Sequence, residues 1–229
     1  MEEKLKSLIN GLDEIYAFYD KIDDASTRTL NEIMPALGDD FPNAETERLN
    51  TVVTRSLGNK HFEDLTQLER VTRENGRYKV KVKFFTIDWE RMPFHDKPKV
   101  LRWLNDLIDI WNPKEPEIMK AQETLETGIS EINGYLAGIS DISDKLLDEI
   151  LSQPGDCLDI QKSRKEDDVI CLWLKDFDHP ESIDRVYRAM EDDNFFVQTS
   201  ARTMAWADLP SLEKSFLLGH IEKIMESDT

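Results

Sequence analysis

The chain contains four histidines, the side chains most often used as metal ligands and as general bases at neutral pH. None has the i, i+4 partner or the grouped carboxylates of a metal site. Two adjoin an aspartate just before a predicted helix start that contains a proline, as His95-Asp96 and Asp178-His179. Capping by aspartate explains both pairs, so the sequence predicts no metal site. The histidines are His61, His95, His179 and His220.

One of these histidines belongs to a candidate small-ligand pocket in the last third of the chain. Residues 169–174 are uniformly apolar, which is typical of a central buried strand. Open α/β sheets place their binding sites at the carboxyl ends of such strands. A nucleotide or small-ligand sensor, or an enzyme with His179 as general base, would use the residues that follow. This candidate pocket consists of Trp173, Asp176, Asp178 and His179.

The two cysteines are too few for a disulfide framework. Cys157 and Cys171 would face each other in a β-hairpin centred near residue 164, as small buried side chains with reduced thiols. The chain has no GxxxxGK(S/T) or GxGxxG phosphate-binding motif and no GxSxG motif. The sequence therefore predicts no cofactor and indicates no particular reaction.

A basic segment, residues 77–83, stands out in a chain whose formal charge is −18. Cationic and apolar residues alternate in it, and successive side chains of a strand lie on opposite faces. The cations would protect an edge strand, pair with the protein's own acidic side chains, or bind an acidic partner. We take Arg77, Lys79, Lys81 and Lys83 as a candidate partner-binding face, with Tyr78, Val80, Val82 and Phe84 on the opposite, apolar face.

Outside this segment the chain is acidic. Residues 77–102 carry a net charge of +5, whereas residues 1–76, 103–153 and 154–229 carry −7, −8 and −8. Such a field repels nucleic acid and anionic membranes and attracts a protein with a basic surface. The longest apolar run is far shorter than the roughly 20 residues of a membrane span, and the first twelve residues lack an apolar signal core. We therefore expect a cytoplasmic protein.

Apolar spacing predicts a mainly helical N-terminal part. A heptad-like stripe indicates a helix over residues 4–22, and Ser26 or Thr27 would cap a second, short helix. Asn75-Gly76 favours a hairpin over about residues 66–87, with a helix over 60–76 as the alternative. In the hairpin, Val71 would lie opposite Val80, Arg73 opposite Tyr78, and Arg70 opposite Lys81. Further helices are predicted over residues 43–57 and 96–111, and over 116–152 as one rod or as two helices broken near 138–140.

A break at residues 153–155, Gln-Pro-Gly, separates a predicted helical domain, residues 1–153, from a small α/β domain, residues 154–229. The second domain would have the order β-β-α-β-α, with a right-handed crossover if its strands are parallel. Its strands would lie at residues 157–161, 169–174 and 194–199, and its helices would begin at Pro180 and near 208–210. We find no internal repeat. The predicted fold class is α+β, predominantly helical.

These features favour a protein that acts by binding. We expect a non-catalytic regulator, an inhibitor, immunity or antitoxin-like factor, with nucleic-acid mimicry as a narrower version. Its partner would be another protein with a basic surface, and direct binding to nucleic acid or membranes is disfavoured. One alternative is the sensor or enzyme described above. Another is a structural subunit that self-associates through helices 4–22 or 116–152.

Overall fold

The structure is a computed structural model, and the chain is α+β and mainly helical, as predicted. Four α-helices and eight strands are present among the residues that it describes. None of these helices is both long enough and apolar enough to cross a lipid bilayer. The described residues are 2–38, 41, 68–82, 85–111, 115–160, 170–172, 181–191 and 193–227.

Two long helices dominate the described chain. Helix α1, Glu2–Leu37, is continuous, so the prediction of a separate helix from Ser26 or Thr27 is wrong. Ser26 is fully buried inside the helix, and the Thr27 hydroxyl accepts a hydrogen bond from Trp89, so neither residue caps a new helix. Helix α3, Pro116–Ile150, is likewise one unbroken rod. The shorter helices are α2, Lys97–Trp111, and α4, Ser211–Ser227.

An antiparallel sheet of three strands follows α1 in the described chain. Its strands are β1, Leu68–Glu74, β2, Arg77–Val82, and β3, Phe85–Asp88, in the order β1-β2-β3. Asn75 and Gly76 both have positive φ, as a two-residue hairpin turn requires. The predicted hairpin and its register are confirmed, with Val71 opposite Val80, Arg73 opposite Tyr78 and Arg70 opposite Lys81.

The predicted strand from Arg77 to about Ile87 is instead two strands, since Val82 of β2 lies opposite Phe85 of β3. The helix predicted at residues 43–57 lies outside the described residues.

The second sheet has five strands, and all its pairings are antiparallel. Its path is β4-β6-β7-β8, and β5 also pairs with β6. The prediction of parallel strands joined by a crossover helix is therefore wrong. The strands are β4, Cys157–Asp159, β5, Cys171–Leu172, β6, Glu181–Arg188, β7, Phe195–Thr199, and β8, Thr203–Ala205.

Strand β6 occupies the place where a helix was predicted to start at Pro180. Ile183 and Val186 both face the core, a spacing of three that suggested a helix. The spacing arises because the register shifts between Ile183 and Arg185, which makes Asp184 the extra residue of a β-bulge. The predicted cysteine hairpin is also wrong, since Cys157 lies opposite Tyr187 and Cys171 lies opposite Ser182.

The contacts divide the chain into two compact units. The central unit is Tyr19–Tyr135, and the terminal unit combines Met1–Phe18 with Leu136–Thr229. Helices α1 and α3 each contribute residues to both units. The boundary predicted at residues 153–155 concerns which parts fold independently, and it stays a prediction.

The helices reveal an internal repeat that the sequence analysis missed. Residues 8–34 of α1 align without gaps to residues 125–151, 117 positions later, and 10 of these 27 positions are identical. Equivalent residues also have the same environment: Ile15 and Ile132 are fully buried, and so are Ser26 and Ser143. We call residues 2–111 the first repeat and residues 116–227 the second repeat.

The sheets repeat as well. Val71 and Val80 pair in the first repeat as Val186 and Val197 pair in the second, and all four are fully buried. The β-bulge in β6 has its counterpart in β1, where the register shifts between Leu68 and Arg70. A bulge at the same place in two sheets is hard to explain by common patterning alone, because bulges are specific local features.

Each repeat then closes with the same turn. Strand β3 leads into a 3₁₀ turn, Trp89–Arg91, and strand β8 leads into another, Trp206–Asp208. Both tryptophans are buried. A lysine at the start of the following helix covers each indole, Lys97 at 5.3 Å and Lys214 at 5.7 Å from the nitrogen to the ring centroid.

Candidate interaction surfaces

The basic segment forms one face of the hairpin, as its alternation predicts. In β2, Tyr78, Val80 and Val82 are buried, whereas Arg77, Lys79 and Lys81 lie on the outer face. The remaining predicted members of the two faces, Lys83 and Phe84, lie outside the described residues. The hairpin therefore brings three of the four predicted cations together.

Acidic residues of β1 neutralise much of this face. Lys79 forms an ion pair with Glu74 at 2.5 Å, and Lys81 forms one with Glu69 at 2.5 Å. The hydrogen bond between Lys79 and Glu74 raises the pKa of the lysine and lowers the pKa of the carboxyl group. Among the alternatives open at the sequence level, the geometry favours pairing with the protein's own acids, supplied here by the neighbouring strand. This leaves a face of mixed charge.

The five-stranded sheet presents a different outer face. The rings of Tyr187 and Phe196, opposite each other on β6 and β7, stack with their centroids 5.7 Å apart and an interplanar angle of 24°. Cys157 lies opposite Tyr187 on the other side and is exposed. The Arg185 guanidinium lies 5.2 Å from the Tyr187 ring centroid and donates to Gln198 at 2.5 Å. The sheet thus carries an aromatic pair with an arginine on one side.

An open groove of about 600 Å³ runs along these side chains. At its edge Met190 is 75% exposed, more than any other large apolar side chain in the described part of the chain. Met190 lies over Gly155, where an added Cβ atom would come within 2.7 Å of its Sδ atom. Exposed methionine and half-buried aromatic side chains are typical of surfaces that bind other proteins. We call Cys157, Arg185, Tyr187, Met190 and Phe196 the aromatic groove.

Ion pairs of Arg188 fix one end of the groove. Its guanidinium contacts Asp193 at 2.5 Å and Asp148 at 2.9 Å, and it donates to the Leu151 carbonyl at 3.0 Å. The hydrogen bond from Arg188 lowers the pKa of Asp193. Bidentate pairing of this kind restrains both partners, so the loop after β6 is tied to the end of α3.

The alternative pocket predicted at Trp173, Asp176, Asp178 and His179 lies outside the described residues. Within the described ranges, no three histidine, cysteine or acidic side chains are grouped so as to hold a metal ion. His95 lies 3.7 Å from Asp96, close to the start of α2, where the sequence placed it beside a cap.

Sequence reasoning missed Tyr187, Met190 and Phe196 as surface residues. Tyr187 and Met190 were assigned to a helix, because the bulge at Asp184 disturbs the alternation that identifies a strand. Phe195, Phe196 and Val197 are three consecutive apolar residues, so β7 alone does not reveal which of them faces outward. The pairing of β6 with β7 supplies that information.

No protein-family model, no curated protein and no solved structure matches this chain.

Proposed function

We propose that this chain is a non-catalytic regulatory protein that acts in the cytoplasm by binding another protein with a basic surface. The observation that carries the proposal is the aromatic groove, an exposed apolar surface in the more acidic of the two units. The groove supplies apolar contact area, and the surrounding charge selects for a cationic partner.

The negative charge is concentrated in the unit that contains the groove. Residues 1–18 and 136–229 carry 12 basic and 25 acidic side chains, a net charge of −13. Residues 19–135 carry 17 and 22, a net charge of −5. Long-range attraction accelerates the encounter with a basic surface and is weakened by salt. A partner held by both the charge and the groove would therefore bind less tightly, but not vanish, at high salt.

A pull-down from native lysate with elution by increasing salt tests the proposal. The expected result is one basic protein that elutes as a sharp step, is enriched over a mock column, and binds the purified chain directly. A purified chain that turns over a substrate would contradict the non-catalytic part. Direct binding that does not change between 50 and 500 mM salt would contradict the electrostatic part.

A small-ligand sensor is the second candidate, and Arg185 is the observation that favours it. Its guanidinium lies on the Tyr187 ring, and the structure gives it no carboxylate partner among the described residues. An arginine beside stacked rings suits a planar anion such as a nucleotide. A thermal-shift screen against nucleotides, with Arg185→Ala as the negative control, distinguishes this candidate from protein binding.

Self-association through residues 4–22 or 116–152 remains a prediction. The apolar stripes that suggested it are buried within the chain, including Leu8, Leu12, Ile15, Ile132 and Ile139. Nucleic-acid mimicry also remains a prediction, one that the salt-graded elution addresses through the identity of the partner.

A further inference from the structure

The structure assigns the binding of a partner to one repeat only: we propose that the aromatic groove of the second repeat docks a protein segment in which a large apolar side chain is flanked by lysine or arginine. This inference rests on the proposed function and adds where the partner binds and which chemistry is recognised. The equivalent face of the first repeat does not take part.

The comparison of equivalent positions is the first argument. Tyr187 and Phe196 occupy the positions of Thr72 and Lys79, which also lie opposite each other on the outer face of their sheet. The first repeat has a polar pair there, and Lys79 is held by Glu74. The acidic partner is absent from the second repeat, where Ala189 takes the position of Glu74. The same backbone thus carries an internally neutralised face in one repeat and an apolar face in the other.

A longer loop is the second argument. Glu74 and Arg77 end the hairpin strands of the first repeat around a two-residue turn, Asn75-Gly76. Their equivalents, Ala189 and Asn194, are hydrogen-bonded at 2.8 Å and enclose four residues, 190–193. The two additional residues place Met190 at the edge of the groove. An apolar pair and an apolar loop residue therefore distinguish the second repeat at the same surface.

The charges around the groove indicate the flanking residues of the partner. Arg188 is already paired with Asp148 and Asp193, so it offers little positive charge to an incoming acid. Glu191 also lines the groove, within a unit of net charge −13. A segment with basic flanks gains from this field, and its apolar side chain covers Tyr187, Phe196 and Met190.

The test uses the full chain to select from a phage-displayed library of random 12-residue peptides. Enriched peptides are synthesised, and their Kd values are measured by fluorescence anisotropy at 50 and 300 mM salt. The variants are Phe196→Lys, which installs the residue of the first repeat, and Met190→Asp, whose exposed position keeps folding intact. Lys79→Ala is the matched control on the equivalent face. Alkylation of Cys157, followed by peptide mass spectrometry, reports occupancy of the groove.

We expect enriched peptides to combine a large apolar residue with lysine or arginine. Their Kd should increase at least tenfold in Phe196→Lys and in Met190→Asp, remain unchanged in Lys79→Ala, and protect Cys157 from alkylation. Equal binding to the groove variants would overturn the assignment to this surface while leaving the proposed function intact. Enrichment of acidic peptides, or no enrichment at all, would overturn the stated partner chemistry. The lysate experiment above decides the proposed function separately.

Discussion

Trp89 and Trp206, 117 positions apart in the chain, hold the same place in two copies of one structural repeat. Each begins a 3₁₀ turn after the last strand of its sheet, and each donates its indole N–H to a long helix. Trp89 bonds to Thr27 at 2.9 Å, and Trp206 bonds to Asp144 at 2.7 Å. Thr27 and Asp144 are themselves 117 positions apart, so the partners repeat together with the tryptophans.

The buried lysine of each repeat leads to the first prediction. Lys214 is almost fully buried and contacts Asp144 at 2.8 Å and the Ser140 hydroxyl at 2.9 Å. Asp144→Ala strands a buried charge and the Trp206 N–H, so we expect it to reduce the free energy of unfolding by about 2 kcal/mol. Lys214→Met removes that charge and keeps the packing, at a cost of about 1 kcal/mol or less.

Urea unfolding of both variants measures the difference. In the first repeat, Asp23→Ala and Lys97→Met provide the matched pair, since Lys97 contacts Asp23 at 2.6 Å. If Lys214→Met were clearly more destabilising than Asp144→Ala, the ion pair would not be limited by the burial of the lysine.

Close helix packing at equivalent glycines leads to the second prediction. A Cβ atom at Gly11 would lie 2.6 Å from the Leu146 side chain, and one at Gly128 would meet the Thr29 side chain. We expect Gly11→Ala and Gly128→Ala each to destabilise the chain by about 1–3 kcal/mol through overpacking. Gly134→Ala, in the same helix but with open space around it, should be neutral or stabilising by up to about 1 kcal/mol. Thermal unfolding of the three variants provides the comparison, and similar Tm values would contradict it.

The third prediction concerns pH. Burial raises the pKa of Glu222, and the neighbouring carboxylates of Glu226 and Asp13 raise it further. Because the folded chain holds this proton more tightly than the unfolded chain, ionised Glu222 opposes folding at pH values above the shifted pKa. Glu222→Gln should therefore increase Tm at pH 7 and lose that advantage at pH 4. Glu2→Gln, at an exposed position, is the control, and a benefit that grows as pH falls would contradict the sign.

Parts of this fold follow from the sequence because local signals decide them. Alternation on both sides of Asn75-Gly76 predicts the hairpin and its register, since the turn fixes which residues face each other. The apolar stripe of 116–152 predicts a helical rod, and the long helix tolerates Gly128, Gly134 and Gly138 because packing supplies most of its stability.

Other parts do not follow, and the bulges are the main reason. Leu68 and Val71, like Ile183 and Val186, are inward residues three positions apart, which resembles a helical spacing. The first pair left residues 60–76 ambiguous, and the second produced the wrong helix. The repeat escaped notice because equivalent positions in the sheets differ in chemistry, as Lys79 and Phe196 do. The aromatic groove depends on that difference, so the sequence alone did not reveal it.

The most direct test of partner binding is photocrosslinking in the native cell, with a photoreactive amino acid placed at position 190. Position 75, in the equivalent turn of the first repeat, is the matched control. The account predicts a covalent adduct with one basic protein from position 190, lost on Phe196→Lys and much weaker from position 75. Equal adducts from both positions, or an adduct that persists in Phe196→Lys, would contradict binding at the aromatic groove.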